Sequence, residues 1–288
     1  MPIIATKNKK RFFKKSLGQN FLTDGNIVRK IISALDVRED DVIVEIGPGL
    51  GALTDELVKL PNRIIAIEKD DRFATRLNAR YDLPNVSVIH GDALKYDFST
   101  LYSERNKKLK VIGNLPYNVS TEILFRLLYN SGYFSTFLFM FQKEVAKRIT
   151  ARSSTKDYGI LSVISQYFSY PSTVISVPPT CFKPAPKVDS AVVRFDIHDT
   201  PPFKVTDEKL LKAVVKTAFS KRRKTLRNCF KEFRFTDIVG FDIDSVFDSA
   251  DIDPGRRGET LSVEEFVRLT ERIGECEGNT GNGGDDVK

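Results

Sequence analysis

The sequence predicts an α/β fold with an open sheet, followed by a small helical domain. Through the first 200 residues, apolar strand-like segments alternate with segments whose apolar residues recur at helical spacing, which is typical of βαβ units. The predicted strands lie within residues 41–51, 63–67, 86–90, 111–117 and 136–142. A proline-rich stretch at residues 200–202 predicts the domain boundary, and the apolar residues beyond it have helical spacing.

The composition is that of an ordinary globular protein, with 41% hydrophobic and 29% charged residues over 288 positions. Three cysteines form no CxxC pair, which indicates neither a disulfide framework nor a zinc site and favours a cytoplasmic protein. The longest apolar run, residues 137–141, is far below the roughly 18 residues of a membrane span, so we expect a soluble protein. His90 and His198 build no catalytic triad or metal site, which disfavours hydrolase chemistry.

Positive charge is concentrated in two patches. Residues 1–20 and residues 219–234 each carry a local charge of +6, although the whole chain carries only +7. Both patches contain phenylalanines, a combination that predicts nucleic-acid binding; the alternative is two solvated surfaces that maintain solubility. The residues expected to bind the polyanion are Lys10, Arg11, Lys14, Lys15, Lys221, Arg222, Arg223, Lys224, Arg227 and, on a basic helical segment over residues 143–152, Arg148.

A glycine-rich turn follows the first buried strand. Gly47, Gly49 and Gly51 form a G-x-G-x-G pattern ahead of a helix, where a ligand can approach the backbone closely. The next strand ends in Glu68, whose carboxylate can accept hydrogen bonds from both hydroxyls of a ribose. Asp92 follows the third strand and can accept from an adenine amino group. These features predict an adenosine-type cofactor, and the alternative is a plain βαβ turn.

The fourth strand ends in the sequence Asn114-Leu115-Pro116-Tyr117. The proline lacks an N–H donor and ends the strand, so the asparagine and the tyrosine lie at the carboxyl edge of the sheet. The asparagine amide and the leucine carbonyl offer two acceptors, and the tyrosine ring offers a flat apolar face. This combination suits a planar base with an exocyclic amino group, such as adenine. A proline-stopped strand with an asparagine turn is the alternative.

The rest of the first domain contains a buried helix near residues 161–168 and a strand pair over residues 172–177 and 188–195. A loop with four prolines joins that pair, so Phe182 is either a fixed stacking surface or a plug between the loop and the core. A polar turn at residues 16–24 precedes a helix that Thr23 or Asp24 can cap. We divide the chain into a basic arm (1–15), a large domain (16–200), a small helical domain (201–273) and a tail (274–288) expected to be disordered.

Several segments together closely resemble one family. They are QNFL, EIGPGLGALT, Glu68, GDAL, NLPY, FMFQKEVAKRI, VPPTCFKPAPKVDSAVV and FSKRRKTLRN, which span roughly residues 14 to 270 in order. They resemble the small-subunit ribosomal RNA adenine N6,N6-dimethyltransferases. The resemblance implies a seven-stranded, Rossmann-like class I methyltransferase domain, S-adenosylmethionine as methyl donor and a helical RNA-binding domain. It also implies two neighbouring adenosines in the 3′-terminal hairpin of 16S rRNA as the target.

The resemblance also implies roles for individual residues. Asn20 and Leu22 would border the methionine end of the cofactor and Gly47 would line it, while Glu68 would hold the ribose and Asp92 the adenine. Asn114 would serve both cofactor and target. Its amide oxygen and the Leu115 carbonyl, fixed by Pro116, would accept the N6 hydrogens, with Tyr117 and Phe182 stacking on the flipped base. The expected partner is the immature small ribosomal subunit, and we expect a monomer that needs no metal and no membrane.

Three alternatives remain at this point. The first is a ribosome-assembly factor that acts mainly by binding, with methylation incidental. The second is a large-subunit rRNA adenine methyltransferase of the macrolide-resistance type, which shares the catalytic half but not the VPPTCFKPAPKVDS and FSKRRKTLRN segments. The third is a nicotinamide-dependent oxidoreductase, which the βαβ pattern alone favours and the NLPY segment disfavours.

Overall fold

The computed structural model describes residues 20–104, 107–231 and 243–280. The chain divides into two compact units: the described residues up to Ala146 with Tyr170–Ile197, and Lys147–Ser169 with the residues from His198 onward. The division at residue 197 lies close to the predicted boundary, but residues 147–169 belong to the second unit and not to the first. Within that unit Tyr158 packs against Phe219, with ring centroids 6.0 Å apart. Tertiary packing of this kind leaves no mark on the periodicity of the sequence.

The first unit is built on a seven-stranded sheet, as the sequence predicts. In chain order the strands are β1 (Phe21–Leu22), β2 (Val42–Ile46), β3 (Arg63–Glu68), β4 (Val86–His90), β5 (Leu109–Gly113), β6 (Phe134–Gln142), β7 (Ser169–Val177), β8 (Phe182–Lys183) and β9 (Ser190–Ile197). The sheet has the order β4-β3-β2-β5-β6-β9-β7, and β1 pairs with β8 in a separate two-stranded sheet. Strands β2 to β6 are parallel, whereas β9 runs antiparallel to β6.

The helices of the first unit connect these strands. They are α1 (Gly25–Ala34), α2 (Thr54–Leu57), α3 (Asp71–Arg80), α4 (Ser99–Ser103), α5 (Ser120–Leu128) and α6 (Lys143–Ile149), the last of which runs into the second unit. Of the two predicted caps for α1, Asp24 is the one found: its carboxylate accepts from the backbone N–H groups of Asn26 and Ile27 at 2.8 and 3.0 Å. These bonds satisfy N–H groups that have no partner within the helix.

The second unit is helical. It contains α7 (Ile160–Phe168), α8 (Glu208–Ala218), α9 (Leu226–Phe230), α10 (Ile243–Ser249) and α11 (Val263–Thr280). The predicted capping box is present, with the Ser262 hydroxyl accepting from the N–H of Glu265 at 3.1 Å and the glutamate accepting from the N–H of Ser262 at 2.7 Å.

The prediction of disorder from residue 274 is wrong for residues 274–280, which continue α11. Ile273 is buried, and Gly274 lies so close to α8 that a Cβ at this position would be 3.4 Å from a methyl group of Leu210. An ion pair between Arg272 and Glu275, 2.6 Å apart, also spans the predicted end. The helix therefore continues because its neighbour gives it a surface to pack on. Residues 281–288 lie outside the described part of the chain.

A buried lysine stabilises the end of the sheet where the parallel strands begin. Lys110 Nζ lies 2.9 Å from a carboxylate oxygen of Asp41 and also donates to the carbonyls of Leu35 and Asp36. We expect Lys110→Met to lower the free energy of unfolding by about 2–3 kcal/mol, because the almost buried carboxylate loses its cation. The loss stays below that of an isolated buried charge, since Asp41 keeps a hydrogen bond from the N–H of Arg38.

Urea denaturation measures this loss, and Lys107→Met provides the matched control. Lys107 pairs with Asp40, but both side chains are well exposed. Exposed pairs contribute about 0–1 kcal/mol, so the control should stay within that range. Equal losses of unfolding free energy in the two variants would show that the burial of Lys110 does not add to its contribution to stability.

The described residues contain neither a membrane-spanning helix nor a metal-binding cluster. No helix there is both long and apolar enough to cross a membrane. Nor does the described part of the chain contain a group of three or more His, Cys, Asp or Glu side chains that could hold a metal ion.

Candidate active site

Two neighbouring cavities lie at the carboxyl ends of β2 to β5, where the strand order of the sheet reverses. Open α/β sheets bind ligands at this position. We name them the Asp92 cavity and the Asn114 cavity; Gly47, Glu68 and Pro116 border both. The Asp92 cavity measures about 460 Å³, within the range of roughly 300–1,000 Å³ that is usual for small-molecule sites. The Asp92 cavity is further lined by Ile46, Ile67, Lys69, Ala93, Val119 and Ile123, and the Asn114 cavity by Asn20, Phe21, Leu22, Glu45, Leu115 and Tyr117.

The glycine-rich turn forms the wall between β2 and α2. Gly47, Gly49 and Gly51 all have positive φ angles, of 68°, 58° and 89°. A Cβ at Gly47 would meet no atom within 4 Å, so this glycine faces open space in the cavities. A Cβ at Gly49 would lie only 3.0 Å from the ring of Phe21. The turn therefore needs glycine for its conformation at all three positions and for close packing at Gly49.

Glu68 ends β3 between the two cavities. Its carboxylate accepts from the backbone N–H of Gly49 at 2.9 Å and from that of Asp70 at 2.8 Å, one bond to each oxygen. Burial raises the pKa of Glu68, and the two backbone hydrogen bonds oppose this effect. Each carboxylate oxygen can accept a second hydrogen bond, so the group can hold a pair of neighbouring hydroxyls.

Asp92 lines its cavity together with apolar residues from the ends of β2 and β3. One carboxylate oxygen accepts from the N–H of Leu94 at 3.0 Å, and the other lies 2.7 Å from the ammonium group of Lys69. Desolvation acts to raise the pKa of Asp92, but these hydrogen bonds outweigh it and hold the pKa below its usual value. The site thus combines a charged acceptor with an apolar surface, which suits the amino group and the ring of a base.

Asn114 follows β5 and is held in one orientation. Its amide nitrogen donates to the backbone carbonyl of Asn20 at 3.0 Å. The amide oxygen therefore remains as an acceptor, and no described residue donates to it. Leu115 is buried, and Pro116 accepts from the N–H of Val119 at 3.1 Å, which closes the turn after the strand. The Leu115 carbonyl, which is the second predicted acceptor, therefore lies in a backbone segment that is fixed on both sides.

Tyr117 lines the Asn114 cavity with its hydroxyl anchored away from it. The hydroxyl is 2.6 Å from that of Ser190, the first residue of β9, and the Tyr117 carbonyl accepts from the Ser120 hydroxyl at 3.2 Å. Burial raises the pKa of Tyr117, so the phenol is neutral near pH 7. A ring held at its far end in this way presents a fixed apolar face.

A model of the family described as ribosomal RNA adenine dimethylase matches residues 10–273 of the chain. The chain belongs to this family. As an rRNA adenine dimethylase it is an enzyme that transfers methyl groups from S-adenosylmethionine to adenine in ribosomal RNA. Membership excludes the nicotinamide-dependent oxidoreductase that the βαβ pattern alone left open.

Individual relatives agree with this assignment. Ribosomal RNA small subunit methyltransferase A of Clostridium perfringens is 45% identical over 262 residues, which cover 91% of this chain and 90% of that protein. The protein of the same name from Desulforapulum autotrophicum is 41% identical, over 96% and 98% of the two chains. A solved structure of a dimethyladenosine transferase from Plasmodium falciparum has a TM-score of 0.73 at 26% identity, covering 88% of this chain and 98% of that one. The 23S rRNA methyltransferase ErmE has a TM-score of 0.64 at 25% identity, covering 88% and 100%.

The residues of this adenine dimethylase fit S-adenosylmethionine, which supplies an electrophilic methyl group on a sulfonium. The open space beside Gly47 leaves room for a ligand against the backbone. Glu68 has acceptor capacity for two ribose hydroxyls, and Asp92 has it for the adenine amino group. Asn20 and Leu22 line the adjoining Asn114 cavity, where the predicted methionine end would lie. The structure thus brings all six predicted cofactor residues to the walls of two neighbouring cavities.

The structure places Phe182 differently from the predicted stacking surface. The side chain is only 2% exposed and belongs to the apolar core, where it lies with Leu22 and Val28. Strand β8 pairs with β1 so that Phe182 is opposite Leu22, and Thr23 N donates to the Cys181 carbonyl at 2.8 Å. The alternative interpretation, a plug that ties the proline-rich loop to the core, describes this position. Stacking on a base would require the ring to leave its present packing.

Sequence reasoning missed Glu45, a site residue on β2. It is 1% exposed, lines the Asn114 cavity and accepts from the Thr54 hydroxyl at 2.7 Å. Burial raises the pKa of Glu45 to about 8, and the carboxylates of Glu68 and Asp55 add to this shift while the bond from Thr54 opposes it. A single acid within the apolar strand sequence VIVEI was the available signal, because carboxylates rarely enter such strands without a specific role.

The predicted RNA-binding residues fall into three groups. Lys10, Arg11, Lys14 and Lys15 lie outside the described residues. Arg148 is exposed on α6, and Lys221, Arg222, Arg223 and Lys224 are exposed between α8 and α9. Of the exposed cations, Arg222 donates to the Lys156 carbonyl and lies 3.8 Å from Glu259, and Arg227 lies 3.0 Å from Asp244.

Proposed function

We propose that this adenine dimethylase acts on two adjacent adenosines in the 3′-terminal hairpin of small-subunit (16S) rRNA and forms N6,N6-dimethyladenosine at each. We further propose that its substrate is an immature small ribosomal subunit and that it works as a monomer in the cytoplasm. The observation that carries the chemical part is the fixed amide of Asn114, whose nitrogen is committed to the Asn20 carbonyl. The names of the curated relatives, which specify the small subunit, support the choice of rRNA.

The proposed mechanism needs acceptors and no histidine base. The lone pair of adenine N6 is delocalised into the ring, so N6 is a weak nucleophile. When the Asn114 amide oxygen and the Leu115 carbonyl accept the two N6 hydrogens, they orient the nitrogen and favour its tetrahedral geometry. Orientation can supply roughly 7–11 kcal/mol of a barrier in favourable cases. Acceptors aimed at the developing positive charge add electrostatic stabilisation, and the proton then leaves to water.

In this proposal Tyr117 supplies the stacking face for the flipped adenine. Its ring lines the Asn114 cavity and is held by Ser190 at its far end. Extruding a base from its stack costs a few kcal/mol, which stacking on an aromatic face can offset. We do not assign a base contact to Phe182, because the structure buries its side chain.

Mass spectrometry of nucleosides tests the proposal directly. The protein is incubated with S-adenosylmethionine and small subunits from cells that lack the modification, and the rRNA is digested and mapped. We expect N6,N6-dimethyladenosine at two adjacent positions of the 3′-terminal hairpin. Large-subunit RNA is incubated in parallel, and methylated adenine there but not in the small subunit would replace our proposal with the macrolide-resistance type of activity. Binding to subunits without any methylation would favour the assembly-factor alternative.

A prediction separates the basic residues of the second unit by their partners. The side chains of Arg223 and Lys224 are exposed and have no partner among the described residues, whereas the Arg222 side chain contacts Lys156 and Glu259. Replacing Arg223 and Lys224 together with glutamine should weaken RNA binding and reduce the slope of log K against log salt by about 1–2, because each phosphate contact releases a counterion. Arg222→Gln should change the slope less, since its charge is partly neutralised by Glu259.

Filter binding across a salt series measures the slope. Lys204→Gln is the matched control, because Lys204 is an exposed cation of the same unit that precedes α8. We expect it to behave like the parent protein. Parallel salt slopes for the double variant and the parent would assign this patch to solubility.

A further inference from the structure

The glycine-rich turn is also held from the side that faces away from the cavities. Tyr81 follows α3 and is 7% exposed. Its hydroxyl donates to a carboxylate oxygen of Asp55, in α2, and lies 3.5 Å from the carbonyl of Gly51. Arg80 lies within 2.8 Å of both oxygens of Asp55, and its guanidinium also donates to the Leu50 carbonyl at 3.4 Å. We call Tyr81, Arg80 and Asp55 the turn latch.

The latch and the turn fit each other closely. Gly51 has a φ of +89°, and a Cβ there would lie 2.7 Å from the Tyr81 hydroxyl. The guanidinium of Arg80 lies over the Tyr81 ring, 5.2 Å from its centroid, and so covers one face of that ring. The backbone N–H of Asp55 donates to the Gly51 carbonyl at 2.8 Å, which joins the turn to α2. Even one additional methyl group at Gly51 would push the turn and the latch apart.

The turn therefore has two anchors with different surroundings. From inside, Glu68 accepts from the N–H of Gly49 and borders both cavities. From outside, the latch contacts the carbonyls of Leu50 and Gly51, and none of its three members lines either cavity. Glu68 can act on the cofactor directly. The latch can act on it only through the conformation of the turn.

We propose that Tyr81 is a positioning residue that holds the glycine-rich turn in the conformation that receives S-adenosylmethionine. The Tyr81 hydroxyl restrains Gly51, and the restraint passes along two peptide units to Gly49 and to the open face at Gly47. A turn ordered before the ligand arrives loses less conformational entropy on binding, so the latch contributes to affinity without touching the ligand.

Tyr81→Phe tests this role because it removes the hydroxyl and keeps the ring. We expect the Kd for S-adenosylhomocysteine, titrated calorimetrically without RNA, to rise about tenfold. Hydrogen exchange at the amides of residues 47–53 should accelerate in the ligand-free variant. At saturating S-adenosylmethionine, kcat should stay within about twofold of the parent value, because the Asn114 cavity keeps its acceptors. This split between affinity and turnover distinguishes positioning from general loss of structure.

Two further variants complete the test. Tyr133→Phe is the matched control, since Tyr133 lies in the same unit, packs on Phe134 and has a hydroxyl that no described residue hydrogen-bonds; it should change none of the three quantities. Asp55→Asn keeps an acceptor for the Tyr81 hydroxyl and weakens the pairing with Arg80, so its Kd should fall between those of parent and Tyr81→Phe. If Tyr81→Phe folds poorly, Asp55→Asn provides the test in its place. Unchanged affinity and exchange in both latch variants, or a lower melting temperature with unchanged affinity, would overturn the proposal.

Discussion

Replacing Asn114 with alanine should lower kcat about 100- to 1,000-fold, the range found when one preorganised polar group is removed from an active site. The amide oxygen is the acceptor that the structure leaves available, and alanine removes it without adding bulk. The loss should appear mainly in kcat, because an acceptor aimed at the charge developing on N6 interacts more strongly with the transition state than with bound substrate. Single-turnover methylation of unmodified small subunits measures it.

The same substitution breaks the hydrogen bond to the Asn20 carbonyl, so its structural cost must be measured separately. A bond of this kind contributes about 0.5–1.5 kcal/mol to stability. Thermal unfolding should show a loss of that size and no more. Asn130→Ala is the matched control: Asn130 lies just beyond the end of α5, and its side-chain amide donates a similar bond to the backbone carbonyl of Arg126 within that helix. Turnover like that of the parent in Asn114→Ala would remove this residue from the catalytic assignment.

Glu45 should make the ligand-free protein less stable as the pH rises from about 4.5 to 8. The pKa of Glu45 is raised in the folded state, so across this interval the folded state binds more protons than the unfolded state. The free energy of unfolding therefore falls with pH, by at most about 1.4 kcal/mol per unit for one proton. The stability that protonated Glu45 contributes is fully present below pH 4.5 and is lost as the pH rises above 8. Over the whole interval we expect a loss of several kcal/mol.

Glu45→Gln should flatten this decline, because the amide oxygen still accepts from Thr54 and carries no charge at any pH. Glu68 and Glu208, whose pKa values burial also raises, should contribute to the slope that remains. Chemical denaturation at half-unit pH steps measures the curve, and Glu56→Gln on α2, whose carboxylate pairs with Lys59 at the surface, is the control. A slope equal to the parent's in Glu45→Gln would show that Glu45 is ionised in the folded protein.

The predicted site residues that the structure brings together share one property: they come at or directly after the ends of parallel strands. Glu68, Asp92 and Asn114 each end or follow a strand of the parallel series. Parallel strands bring their carboxyl ends to the same edge of the sheet, so the topology alone places these side chains close together. The strand periodicity and the proline at 116 were therefore enough to predict the location of the site.

The features that sequence did not predict depend on contacts without a recurring pattern. Strands β1 and β8 have two residues each, too few for any periodicity, yet their pairing decides that Phe182 is buried. Arg222 donates to a backbone carbonyl, that of Lys156, and a backbone acceptor has no sequence signature. The burial of Glu45 also depends on tertiary contacts and not on a local sequence pattern. The same is true of the packing of residues 147–169 in the second unit.

Gly113, the last residue of β5, lies beside the end of β2. A Cβ at this position would be 2.6 Å from the Ile46 carbonyl and 3.1 Å from a methyl group of Leu115. The register pairs Glu45 with Ile112, so the contact falls one step further along, where β2 leads into the Gly47 turn and β5 into Asn114. Any side chain at 113 would push β5 away from the end of β2, and with it Asn114 away from the Gly47 turn. The spacing between the Gly47 turn and Asn114 therefore depends on position 113 carrying no side chain.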